Sequence, residues 1–200
     1  GCFLQTHLAE TPAEIAWVLE MYRQMPDFQT VPTYTDLYDR CGLLGPRTVM
    51  GHGIHLTDTE WARLAATDTA IASCPTSNAP LGQLGLGSGL FDWQRAEREG
   101  VRWSLATDIG GGPYFSPWDV IASFVSQNRA AGRPASYGQG LYRATVAAAA
   151  LCGFPNSSGF RPGAEANWVC LNSPDGPLPP DPETLLTRLL ETPDREGRLA

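Results

Sequence analysis

The chain has 200 residues, enough for one domain or a large part of one, and its 42% hydrophobic and 10% aromatic content are globular values that allow a sizeable core. A formal net charge of -7 with no Lys/Arg run or stripe argues against nucleic acid as a bulk partner, and no apolar run approaches the roughly 18 residues of a membrane helix. The cysteines, at 2, 41, 74, 152 and 170, are odd in number, far apart and without a C-x-x-C, which argues against a disulfide framework or thiolate zinc site and for a reducing cytoplasm.

The opening GCFLQTH lacks the basic segment of a signal peptide and reads as the middle of a fold. Its apolar residues predict a short strand over 2–7. Thr11-Pro12-Ala13-Glu14 is a capping box with Pro at the first helical position, opening a helix to about residue 25. A Pro-containing loop, 26–33, precedes a short helix over 33–44, stopped near Gly45-Pro46. TVMGHG, 48–53, reads as a strand, and the capping box at 57–60 opens a helix to about 67. AIASCP, 70–75, is the third strand. The Gly-rich loop TSNAPLGQLGLGSG follows, then the helix FDWQRAERE, closed by Gly100. VRWSLATD, 101–108, is the fourth strand, with the loop IGGGPYFS and the helix SPWDVIASFVSQNRAAG behind it. A last, Ala-rich helix spans about 137–151, a short strand 167–172, and the tail from 173 is polar and Pro-rich. Four strand–loop–helix units in succession predict an α/β fold with a parallel sheet, either half of a (β/α)8 barrel or a doubly wound sheet.

The chemistry-bearing side chains fall at equivalent places in these units. His7 ends the first strand and His52 the second, Ser77 and Asn78 follow the third, and Asp108 ends the fourth. In a barrel these strand ends share one face, where such folds place their catalytic groups. Each residue alone has an ordinary explanation: His7 a polar rim group, Glu10 an acid favoured by a helix N-terminus, Asp108 a turn former before Gly110-Gly111-Gly112. His55 reads as a rim or structural group. His52 lies between Gly51 and Gly53, which suggests close backbone approach. Together, two imidazoles and a carboxylate at successive strand ends suit a divalent ion such as Zn2+ or Fe2+, and Glu10, three residues past His7, is placed to accept a proton from water activated there. The glycine run without a following G-K-[ST] is a weak phosphate signal.

The segments QTHLAET, YTDLYDRCGLLGPRTVMGHGIHLTD, SCPTSN, GSGLFDWQRAEREGVRWSLATDIGGG and RPGAEANWVCLN, in this order, resemble the amidohydrolase superfamily and, within it, the guanine deaminases. The resemblance implies a partial (β/α)8 TIM-like barrel, with residues 1–155 as its last half and residues 156–200 as part of a small β subdomain with a return strand and polar tail. It implies His7 and Asp108 as ligands of one divalent metal, most often Zn2+ with Fe2+ as the alternative. It makes Glu10 the proton shuttle, and His52 the group that orients the attacking hydroxide. His7, Glu10 and Asp108 would also contact the substrate. The family's His-x-His metal ligands are absent from this sequence, as are its upstream substrate-binding Arg and Gln, so the chain is expected to be a piece of the enzyme and inactive alone. Ser73 stands where a His is common, Asn167 replaces a frequent Asp, and the loop NAPLGQLGLGSG is longer than usual.

The activity so implied is hydrolysis of guanine to xanthine and ammonia by metal-activated hydroxide attack at C2, in purine catabolism. The implied protein is a cytoplasmic homodimer at full length, with a small purine as its partner and neither nucleic acid nor membrane. A related enzyme that deaminates or dechlorinates another purine, a pterin or a triazine is the neighbouring alternative. A catalytically inactive barrel scaffold is the alternative from another class.

Overall fold

The computed structural model describes residues 1–154, 156, 159–171 and 176–191. Four parallel strands, β1 (Leu4–Leu8), β2 (Thr48–His52), β3 (Ala70–Ser73) and β4 (Trp103–Leu105), lie side by side in sequence order. Parallel neighbours need crossovers, and helices supply them: α1 (Pro12–Arg23) and α2 (Tyr34–Arg40) between β1 and β2, α3 (Asp58–Ala66) between β2 and β3, and the short α4 (Pro75–Asn78) with α5 (Trp93–Glu99) between β3 and β4. α6 (Pro117–Ala130), α7 (Tyr137–Ala144) and α8 (Val146–Leu151) follow β4, and α9 (Pro182–Leu190) comes later in the chain. This is a partial (β/α)8 barrel.

Local chemistry sets the helix starts. Thr11 and Glu14 form the expected capping box of α1, and Thr57 and Glu60 that of α3. The core joins the sheet to its helices through Leu8, Met50, Ile71 and Trp103. Trp103 is the hub of an aromatic cluster, its ring 5.6 Å from Phe91, 6.4 Å from Trp93 and 5.8 Å from Phe124, with the Arg143 guanidinium 4.3 Å from its centroid. Among the described residues no helix is long and apolar enough to cross a membrane.

Four expectations change. The fourth strand ends at Leu105, so Asp108 belongs to the loop beyond it. The helix expected over 137–151 is broken at Thr145, whose φ and ψ of -122° and -81° leave the helical region. Residues 167–170 carry no strand, and Asn172 lies outside the described residues. The tail expected to be merely polar holds α9. Asp181 caps it by accepting from the Thr184 amide, Pro182 occupies its first turn, and Leu190 is buried. Glu183 of α9 accepts from the Tyr137 and Gly138 amides at 2.7 and 2.9 Å, and so satisfies the first turn of α7.

Candidate metal centre

Strand register brings the first two imidazoles together. His7 pairs with Gly51 and Leu8 with His52, so His52 lies one residue further along the same edge. The His7 ring stacks on that of His52 with centroids 5.2 Å apart and 17° between planes. Asp108 approaches from the loop after β4. One potential ligand atom from each of His7, His52 and Asp108 falls within 4.8 Å of the others. His52 is buried, Asp108 half-buried and His7 exposed. Two imidazoles and a carboxylate at such spacing are a donor set that fits one divalent ion with nitrogen and oxygen ligands.

The backbone is bent to present these groups. Ala9, His52 and Asp108 all have left-handed φ, at 50°, 72° and 53°. For residues other than Gly this conformation costs about 1–3 kcal/mol each, and it persists only where the surroundings enforce it. At Ala9 the enforcement is visible: its carbonyl accepts from the Ile54 and His55 amides at 3.1 and 3.0 Å, which ties the end of β1 to the chain leaving β2. The next residue, Glu10, is fixed at its amide, which donates to the capping-box carboxylate of Glu14 at 2.7 Å. The box therefore starts α1 and also sets the backbone of Glu10.

The Glu10 carboxylate turns toward His52, with Oε1 3.7 Å from His52 Nδ1. Asn78 Nδ2 donates to that oxygen at 3.1 Å and the Ser88 hydroxyl donates at 2.8 Å. Asn78 Nδ2 is 3.1 Å from His52 Nδ1, while its Oδ1 is 3.4 Å from the same nitrogen. Which of the two Asn78 atoms pairs with Nδ1 depends on the imidazole tautomer. The Tyr38 hydroxyl donates to the His7 carbonyl at 2.9 Å, anchoring the backbone of His7 to α2. Buried Cys74, just after β3, has its thiol pushed up to about 12 by burial, with the negative charges of Asp108 and Glu10 adding to the effect.

The structure thus brings His7, Glu10, His52 and Asp108 to one place. Asn78, expected there, bridges Glu10 and His52. Ser77 does not take part: it is fully buried and its hydroxyl has no hydrogen-bond partner among the described residues. His55 donates from Nε2 to the Ser88 carbonyl at 2.8 Å. Ser88 and Tyr38 escape sequence reading, because both reach the site across long stretches of chain.

The profile of the amidohydrolase family matches residues 1–192. The chain belongs to this family. As an amidohydrolase it is 37% identical over 177 residues to the guanine deaminase of Escherichia coli K12, covering 88% of this chain and 38% of that protein. A solved structure of E. coli guanine deaminase superposes with a TM-score of 0.74 at 35% identity, covering 84% of this chain and 37% of that one. Guanine deaminase from C. acetobutylicum, solved with guanine in its active site, superposes with a TM-score of 0.70 at 27% identity, covering 84% and 39%. The amidohydrolase chain spans about two fifths of the length of the curated relatives it matches.

Proposed function

We propose that this chain supplies one side of the active site of a guanine deaminase, which hydrolyses guanine to xanthine and ammonia. The observation that carries this reading is the cluster of His7, His52 and Asp108 within 4.8 Å, with the Glu10 carboxylate 3.7 Å from His52. The guanine deaminases among its relatives, one of them solved with guanine in its active site, support guanine as the substrate.

In this reading His7 and Asp108 hold one divalent ion, with zinc the assigned metal. When bound, such an ion supplies Lewis acidity and acidifies water held against it. Glu10 accepts a proton from the attacking water and delivers it to N3 of guanine, which makes C2 more electrophilic. His52 donates to the attacking oxygen and orients it toward C2. Asp108 takes the second proton and passes it to the amino group, which departs as ammonia. His7, Glu10 and Asp108 also line the purine site. The reading extends to residues 1–155 as half-barrel, residues 156–200 as part of a β subdomain, and a cytoplasmic homodimer.

The test is product analysis on the full gene product, offered guanine beside adenine, a pterin and a chlorotriazine. Xanthine and ammonia from guanine are expected in equal amounts. Turnover of another member of the panel with none of guanine would overturn the assignment.

A further inference from the structure

The long loop after α4 reaches back into the site through a single hydroxyl. Ser88 is 5% exposed, and its Oγ donates to Glu10 Oε1 at 2.8 Å. That oxygen also accepts from Asn78 Nδ2 at 3.1 Å, while Oε2 has no hydrogen-bond partner among the described residues. Two donors on one oxygen hold the carboxylate in a single orientation and leave the other oxygen free of them.

Ser88 is itself held from two sides. Its carbonyl accepts from His55 Nε2 at 2.8 Å, and the His55 amide donates to the Ala9 carbonyl at 3.0 Å. Ala9 precedes Glu10, so the contacts close a ring: Ala9 to His55, His55 to Ser88, Ser88 to Glu10. On its other side Gly89 adopts φ 124° and donates to the Asn78 carbonyl, and a Cβ there would lie 3.1 Å from Ile54 Cγ2. Only glycine lets the loop turn inward at this point. The preceding part of the loop faces outward, with Leu81, Leu84 and Leu86 exposed.

We infer that Ser88 is a positioning residue that engages Oε1 of Glu10 and leaves Oε2 as the proton-transferring oxygen, with His55 anchoring Ser88. The inference rests on the proposed role of Glu10 as the shuttle. Its consequence is that the loop after α4 controls turnover without touching the metal ligands.

The test uses Ser88→Ala, Ser88→Thr, His55→Ala and Glu10→Gln in the full gene product. Ser88→Ala is expected to lower kcat about ten- to a hundredfold. KM for guanine, metal content and the thermal midpoint should stay near wild type, and Ser88→Thr, which keeps the hydroxyl, should recover most of kcat. His55→Ala should lower kcat in the same direction by less. A crystal structure of Ser88→Ala should find the Glu10 carboxylate rotated away from Asn78. If Ser88→Ala keeps wild-type kcat while Glu10→Gln is inactive, the positioning role falls and the proposed function stands. If Glu10→Gln is fully active, the shuttle assignment falls and the positioning role with it. Loss of metal and of guanine affinity together with kcat, unrescued by Thr, would make Ser88 merely structural and overturn the inference.

Discussion

Glu60 and Thr35 are joined twice, though 25 residues apart: Glu60 Oε1 accepts from the Thr35 amide at 3.1 Å and from its hydroxyl at 3.0 Å. The other oxygen accepts from the Thr57 amide at 2.9 Å as part of the α3 capping box. One buried carboxylate therefore caps α3 and satisfies the first turn of α2. Glu60→Ala removes both sets of contacts and leaves buried donors unpaired, so it should destabilise the protein by about 3 kcal/mol. Glu60→Gln keeps one acceptor and should lose about 1 kcal/mol. Urea midpoints at unchanged m-value measure both, and equal losses would show that the acceptor retained by Gln contributes nothing here.

Glu10 has its backbone fixed by Glu14 and its carboxylate by Ser88 and Asn78, so replacing it by Gln changes chemistry more than structure. A general acid–base group contributes about 10²–10⁴-fold. Glu10→Gln in the full gene product should lose kcat by that factor and keep its metal. Metal analysis beside steady-state kinetics checks it, and near-wild-type turnover with full metal would remove Glu10 from the mechanism.

The alternation of strands and helices could be read from sequence because the signals are local: the two capping boxes and the glycine after α5 act within a few residues. His7, His52 and Asp108 could be brought together on paper because parallel strand ends lie at one edge of a sheet. What was not legible depends on contacts remote in sequence. α9 docks on α7 through Glu183, 45 residues beyond Gly138. Ser88 meets Glu10 from 78 residues away, through a loop whose path is set by one glycine's left-handed turn and by His55. The second role of Glu60 is of the same kind, since a capping box gives no hint of Thr35.

The glycine run after Asp108 answers to packing. A Cβ on Gly112 would lie 2.5 Å from the Thr107 carbonyl oxygen and 3.2 Å from that of Asp108, and both are backbone atoms, so relief requires the chain itself to shift. A Cβ on Gly110 would meet nothing within 4 Å, although its φ of 105° is unfavourable for other residues. Gly112→Ala should therefore displace Asp108 and weaken metal binding by about tenfold or more. Gly110→Ala should cost about 1–2 kcal/mol of stability with metal affinity retained. Metal titration and thermal unfolding of the two variants separate these outcomes, and equal metal affinity would disprove the close-approach account.

Burial divides the five free cysteines: Cys2, Cys41, Cys152 and Cys170 are exposed, and Cys74 is 4% exposed. Thiolate is the reactive form. Burial, followed by the negative charges of Asp108 and Glu10, pushes the Cys74 thiol from 9.0 to about 12. At pH 8 a thiol reagent should label the four exposed cysteines quickly, with Cys74 reacting only when denaturant opens the fold. The raised value means that the folded state favours the protonated thiol. Its contribution to stability is complete below the unfolded value of 9.0 and is lost as pH climbs toward about 12. Cys74→Ser should therefore flatten the fall in stability between those limits, measured by urea unfolding along a pH series. Rapid labelling of all five thiols in the native protein would show that Cys74 is open to solvent beside Asp108 and that burial does not set its chemistry.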